Sequence, residues 1–274
     1  MKIKTLENIP FEVILNCFLE SFSDYYVKMP QDSDYYKIRW KAAKVDFRFS
    51  YGMFDEEKLV GLIIHGIDFR DGEKVAFNTG TGVIPNYRGQ KITSKIYDFA
   101  LKHLKENDFT LLKLEVIREN QNAIHVYQKV GFEICKKYKC YISDFENIEV
   151  SSLDFEIKSV EKENFNWNYP NEIHSWDNHK NSITSGESKY FYIQNKDKIE
   201  SYFIINSFGN ISQFQIIENN SINKIYERLF YGINSKINPI KLINIEEQYE
   251  EKIQFIEKNN FKTIVDQFEM EMKI

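Results

Sequence analysis

Apolar and polar positions alternate with two different periods along the first half of the chain. Phe11, Ile14, Leu15, Phe18 and Phe22, following Pro10, fall at helical spacing, and Asp32 to Ala43 repeats that signal more weakly. Elsewhere the period is two. Residues 2–6 read as a short strand. Phe47–Phe54 and Leu59–Phe69 read as longer ones joined by the charged turn Asp55-Glu56-Glu57-Lys58, and Lys74–Val83 follows the Asp71-Gly72 turn. These strands form an antiparallel meander. The helical period then returns from Ile92 to Lys105 through Ile96, Phe99, Ala100 and Leu104. Leu111–Val116 predicts a strand, Asn120–Val130 a helix and Phe132–Tyr141 a strand. A meander followed by strand–helix–strand predicts an α/β fold of the α+β kind, a mixed sheet with helices on its faces.

From about residue 150 the order repeats. Phe155–Val160 is a candidate first strand, and an irregular stretch passes through Trp167, Pro170 and Trp176. Tyr190–Gln194, Ile199–Ser207 and Ile211–Ile217 form a second candidate meander. Ile222–Phe230 reads as a helix, Ile240–Ile245 as a strand, Glu246–Lys258 as a helix and Phe261–Met272 as a strand. The endings run parallel, Val130-Gly131-Phe132-Glu133-Ile134 against Asn259-Asn260-Phe261-Lys262-Thr263. The pattern predicts two copies of one fold in tandem, residues 1–145 and 150–274.

Composition narrows the class. Of 274 residues, 42% are hydrophobic and 28% charged, so each half can bury a core. The net charge of −5 argues against a broad nucleic-acid-binding face. Cys17, Cys135 and Cys140 form no CxxC pair and are odd in number, which fits reduced thiols; no metal is expected. With no cleavage signal and no stretch near the roughly 20 apolar residues that span a bilayer, the expectation is a cytoplasmic protein without a membrane partner, a monomer or homodimer.

The most informative stretch is Val83-Ile84-Pro85-Asn86-Tyr87-Arg88-Gly89-Gln90-Lys91-Ile92-Thr93. A strand ends, Pro85 stops its ladder, Gly89 permits a tight turn and a helix begins. Backbone N–H groups in such a turn, next to a helix N-terminus, make a phosphate site, and Arg88 and Lys91 add positive charge. On spacing alone, a plain strand–turn–helix joint with surface bases fits equally well.

Downstream stand Asn120, Ala123, Tyr127, Gly131 and Phe132. Together with Val83, Pro85, Tyr87 and Arg88, they resemble in order and spacing the two signatures of the GNAT superfamily of acyl-CoA-dependent N-acetyltransferases. Lys91 and Thr93 depart from it, since the family usually has Gly at the first position and Gly or Ala at the second. Lys91 opens the helix, so no left-handed residue is required there, and its ammonium can face a phosphate. The Thr93 hydroxyl can donate to a phosphate oxygen. The resemblance implies a GNAT-like fold with acetyl-CoA as cosubstrate. It implies that Thr81, Gly82 and Val83 pair through their backbone with the pantetheine arm, one N–H polarising the thioester carbonyl. Arg88, Gly89, Gln90, Lys91, Ile92, Thr93 and Ser94 then hold the pyrophosphate.

Tyr127 falls where the family places a general acid for the departing thiolate; a phenol near pKa 10 is a proton donor at neutral pH. It equally reads as a helix aromatic packed against the CoA arm. Asn120 fits both a cofactor contact and a helix N-cap. The third meander strand, Asn78-Thr79-Gly80-Thr81, offers no carboxylate as a base. Glu115 sits where relatives that acetylate protein N-termini place a Glu base, and otherwise reads as an outward strand residue. His65 and Asp68 are fallbacks, and a route through water without a dedicated base is also open. Tyr25, Tyr26, Met29, Tyr35, Tyr36 and Trp40 can wall an acceptor cleft, or serve as core and rim.

In the second half, Ile217-Glu218-Asn219-Asn220-Ser221-Ile222 stands where the phosphate turn belongs. It has no Gly and no Arg, and Glu218 repels phosphate. A degenerate copy that does not bind CoA is expected. The leading reading is an N-acetyltransferase acting on a primary amine of a small molecule or a protein N-terminus. The alternatives are a non-catalytic CoA-binding module, or another acyl or aminoacyl transferase built on tandem copies.

Overall fold

The meander is present in a computed structural model of the chain, which describes residues 1–143, 150, 154–169, 172–218 and 222–274. Its elements in the first half are β1 (Lys2–Thr5), α1 (Phe11–Ser21), α2 (Ser33–Ala42), β2 (Tyr51–Asp55), β3 (Lys58–Arg70), β4 (Glu73–Val83), α3 (Ile92–Glu106), β5 (Leu111–Ile117), α4 (Gln121–Val130) and β6 (Glu133–Ser143). The second half adds β7 (Glu156–Val160), α5 (Lys180–Ser185), β8 (Ser188–Asn195), β9 (Lys198–Asn206), β10 (Ile211–Ile216), α6 (Ile222–Asn234), β11 (Ile240–Glu246), α7 (Glu250–Lys258) and β12 (Lys262–Lys273). Pro170 and residues 219–221 of the second-half turn lie outside the described residues.

The chain divides into two units, Met1–Cys135 with Phe268–Ile274, and Lys136–Gln267. The C-terminal residues therefore belong with the first unit. Its strands run β1-β2-β3-β4-β5-β12, antiparallel through β4 and parallel between β4 and β5. The Ile274 N–H bonds the Thr110 carbonyl at 3.0 Å, tying the last residue down beside β5. In the second unit the order is β6-β11-β10-β9-β8-β7, with β10 parallel to β11 and the other pairs antiparallel.

Local chemistry sets the helix ends. Asp32 caps α2 by accepting from Asp34 N–H at 3.0 Å, and Asn120 caps α4 by accepting from Ala123 N–H at 3.1 Å. Gly131, at φ 119°, ends α4, and Phe132 N–H returns to the Tyr127 carbonyl. The first core joins Ile14 and Phe18 of α1, Leu62 and Ile64 of β3, Ile92 and Ile96 of α3, Leu112 and Leu114 of β5, and Met270 of β12. Each such side chain contributes roughly 1.5–3 kcal/mol on burial. Among the described residues no helix is long and apolar enough to cross a membrane.

Two expectations shift. Phe47–Phe49 is a 3₁₀ turn, because Asp46 accepts from Arg48 N–H at 2.9 Å and β2 begins only at Tyr51. The last helix starts at Glu250 rather than Glu246, since β11 runs on through Glu246.

Candidate active site

The site begins where two neighbouring strands part. The β4–β5 ladder runs from Val75–Leu111 to Asn78–Leu114, whereas β3–β4 pairing continues to Gly61–Val83. The β3–β4 register slips at this point, Ile64 facing Gly80 and His65 facing Asn78, so Thr79 is the extra residue of a bulge. Beyond it, the β5-facing edge of Thr81, Gly82 and Val83 runs free of the parallel ladder. The glycines here answer to α1. A Cβ on Gly82 would come within 2.5 Å of Ser21 Cβ, and one on Gly80 within 2.7 Å of the Phe18 ring. Strand alternation then turns Thr81 and Val83 toward the opposite face, where α3 lies.

After β4, Pro85–Tyr87 makes a 3₁₀ turn, and Gly89 (φ 77°) and Lys91 (φ 57°) are both left-handed. This corrects the expectation for Lys91. The position does require the left-handed conformation, and a lysine adopts it where the family usually has glycine. A Cβ at Gly89 would meet nothing within 4 Å, so the loop is open on that side. The first intrahelical bond of α3 runs from Lys95 N–H to the Lys91 carbonyl, and no side chain caps the helix. The N–H groups of Ile92, Thr93 and Ser94 thus project from the positive end of the helix dipole, a geometry suited to phosphate. Arg88 is engaged elsewhere. It pairs with both Asp24 carboxylate oxygens at 2.6 and 2.7 Å and donates to the Val83 and Ser21 carbonyls at 3.2 and 3.1 Å.

Tyr127, on the inner face of α4, is 8% exposed. Burial raises its phenol above the ordinary 10.0, while the nearby Thr81 and Asn78 side chains pull it back down. The helix spacing that put Tyr127 after Asn120 therefore delivers it to the bulge of β4. Asn78 was not a predicted site residue. Nor was Tyr97 of α3, whose hydroxyl accepts from Asn78 Nδ2 at 2.8 Å. The one sequence signal for this group is an asparagine at the buried end of a Gly/Thr-rich strand.

Asn120 is the N-cap of α4, and its side chain lies near Tyr25, whose hydroxyl burial pushes up to about 12. The predicted aromatic wall divides. Tyr36 and Trp40 are core, Trp40 packing against Phe11, Phe18 and Phe47. Tyr25 stays beside α4, and Tyr26, 59% exposed, donates to the Glu119 carbonyl at 3.4 Å.

Leu112, Leu114 and Val116 are core, so alternation places Glu115 on the other face of β5 with Lys113, which pairs with Glu269 and Glu271 at 3.1 and 3.5 Å. His65 is fully buried. Its Nδ1 lies 2.7 Å from the Phe49 carbonyl, and burial lowers its pKa to about 4. Asp68 is buried in ion pairs with Lys44 and Arg70.

The second unit repeats the framework with different chemistry. Tyr249 holds the N-cap position of α7 with φ −85° and ψ 63°, against −80° and 66° for Asn120, but its side chain makes no capping bond. Counting on from these caps sets Lys252 in the place of Ala123 and Ile256 in that of Tyr127. Lys252 is 6% exposed, pairs with Glu172 at 2.5 Å and donates to the Phe214 carbonyl of β10 at 3.0 Å. Ile256 is fully buried.

The model of the Acetyltransferase (GNAT) family matches residues 15–132. That stretch, somewhat under half of the chain, is similar to the GNAT acetyltransferases, a family that typically uses acyl-CoA. Solved structures match its fold over the full length. A tandem GNAT protein from the clavulanic acid biosynthesis pathway aligns with TM-score 0.73 at 9% identity, covering 99% of this chain and 98% of that one. A GCN5-related N-acetyltransferase from Sphaerobacter thermophilus aligns at 0.67 and 7%, covering 99% and 95%. One from Anabaena variabilis aligns at 0.61 and 14%, covering 98% and 72%. No match was found among curated protein sequences.

Proposed function

We propose that the first unit transfers the acetyl group of acetyl-CoA to a primary amine, on a small molecule or a protein N-terminus, by direct attack. The observation that carries this reading is the parting of β4 from β5 beside the uncapped N-terminus of α3, with the Tyr127 phenol beside the bulge. Thr81, Gly82 and Val83 offer a backbone edge for the amides of the pantetheine arm. Gly89 to Ser94 offer N–H groups for the pyrophosphate. Lys91 stands exposed at the same loop, and Arg88 braces it through Asp24.

The chemistry asks little of the chain. An amine of pKa near 10 must lose a proton before it attacks, and Glu115 is the proposed acceptor of that proton. Nitrogen adds to the thioester carbon and gives up its second proton to solvent, the C–S bond breaks, Tyr127 donates its proton to the leaving sulfur, and solvent reprotonates the phenolate. In the second unit, the Lys252 side chain bonds the β10 backbone and Ile256 supplies no acid. Both support a copy that takes no cosubstrate.

Release of free thiol from acetyl-CoA, measured against a panel of alkylamines, arylamines and short peptides with free N-termini, tests the proposal. Amine-dependent release is expected. Acetyl-CoA binding without release across the panel would indicate a binding module, and no binding would exclude both.

A further inference from the structure

The second unit has a cleft of its own, about 290 Å³ including its open mouth and lined wholly by residues of that unit. It lies where β10, paired with β11 at Ile211–Leu242, runs on beside the start of α7. The β9–β10 register slips between Ile211 and Gln213, so Ser212 is the extra residue of a bulge, as Thr79 is in β4. The backbone arrangement of the first unit is thus present again with a different lining. Lys252 takes up the β10 edge. Its ammonium donates to the Phe214 carbonyl at 3.0 Å, pairs with Glu172 and stands over the Phe214 ring at 4.4 Å.

What the lining still offers a ligand is mostly acceptors. Ser212 and Asn178 are 5% and 6% exposed. Asn178 Nδ2 donates to the Ile243 carbonyl at 2.7 Å, which fixes the amide and leaves Oδ1 as an acceptor. Among the described residues nothing donates to that oxygen or bonds the Ser212 hydroxyl. Glu172 meets Lys252 with Oε2, which leaves Oε1. His174 is kept neutral by burial, with its pKa lowered to about 3, and so offers one ring nitrogen. An anion is poorly served. The Lys252 charge is already met by Glu172, and Glu250 and Glu251 stand in the first turn of α7.

We propose that this cleft binds a small primary ammonium compound, held by its N–H groups on the Ser212, Asn178 and Glu172 oxygens. A buried ammonium is tolerated only where such acceptors replace its water, and the volume suits a ligand of a few heavy atoms.

The test is a titration of the full chain with ethylammonium, followed by amide NMR signals, with acetate and inorganic phosphate as anion controls. Ethylammonium should shift the Ser212, Phe214 and Tyr249 signals saturably, and the anions should not. Glu172→Gln should weaken that binding at least about 10-fold, as loss of one charge-assisted hydrogen bond predicts. Ser212→Ala, which keeps the Glu172–Lys252 pair, should weaken it about threefold. These signals come from the second unit, so they decide the site whether or not the first unit acetylates an amine. If either anion shifts them as strongly, if ethylammonium leaves them unmoved, or if either variant binds like the parent, the assignment is overturned.

Discussion

The Arg88 guanidinium holds the Asp24 carboxylate with both terminal nitrogens, at 2.6 and 2.7 Å, across 64 residues of sequence. Arg88 thereby lowers the Asp24 pKa, and the loop after α1 is fastened to the loop before α3. In this arrangement the charge expected to meet pyrophosphate is already met. Asp24→Ala releases it, and acetyl-CoA should then bind more tightly at low ionic strength, with the gain shrinking as salt rises. Calorimetric titration at two salt concentrations checks this. Weaker binding in the variant would mean that Arg88 acts only as a splint.

Lys91 occupies left-handed backbone at φ 57°, with its side chain in solvent. A non-glycine residue there costs roughly 1–2 kcal/mol, more than the chain entropy that a glycine adds to the unfolded state. Lys91→Gly should raise Tm by a few degrees, whereas Lys91→Val should lower it. A Tm unchanged in both would remove the strain argument.

The same residue shows where the sequence stopped being readable. The meander and the β5–α4–β6 unit followed from periodicity and spacing, because each depends on local repeats, whereas Tyr127 was singled out by the family resemblance. Backbone sign at Lys91 did not, since lysine carries no left-handed preference. Phe47-Arg48-Phe49 alternates like a strand, but Asp46 turns it by capping Arg48 N–H. The short helix α5 was missed because Lys180–Ser185 is mostly polar, and only Ser182 and Ile183 are buried. That Phe268–Ile274 belongs with the first unit is a long-range pairing with no local signal. Asn78 reads as a plain strand asparagine until its three hydrogen bonds are seen.

Stability should fall on mild acidification. His65 is buried and neutral, with its pKa lowered from 6.5 to about 4. His174 is lowered to about 3, first by burial. Between 6.5 and the folded values the unfolded chain binds protons that the folded chain refuses. Stability is therefore intact above pH 6.5 and is lost as pH falls toward 4, by up to about 1.4 kcal/mol per pH unit for each histidine. Urea titrations at pH 7.5, 6 and 5 measure the slope, which should drop by about one proton in His65→Gln. An unaltered slope would show that His65 titrates in the folded chain as it does in the unfolded one.

Glu115 lies on the face of β5 opposite Leu114. If it receives the amine proton, Glu115→Gln should flatten the acidic limb of the kcat/KM profile and lower the plateau, with acetyl-CoA affinity preserved. A profile identical to the parent's would leave the proton to water.

The central claim is that one acetyl-CoA binds per chain, in the first unit, on the loop from Gly89 to Ser94. Calorimetric titration of acetyl-CoA into the full chain tests it most directly, alongside Gly89→Val, which forces a β-branched residue onto backbone at φ 77°. A stoichiometry of one and a large loss of affinity in the variant are expected. Two sites per chain, or a single site indifferent to Gly89→Val, would contradict it.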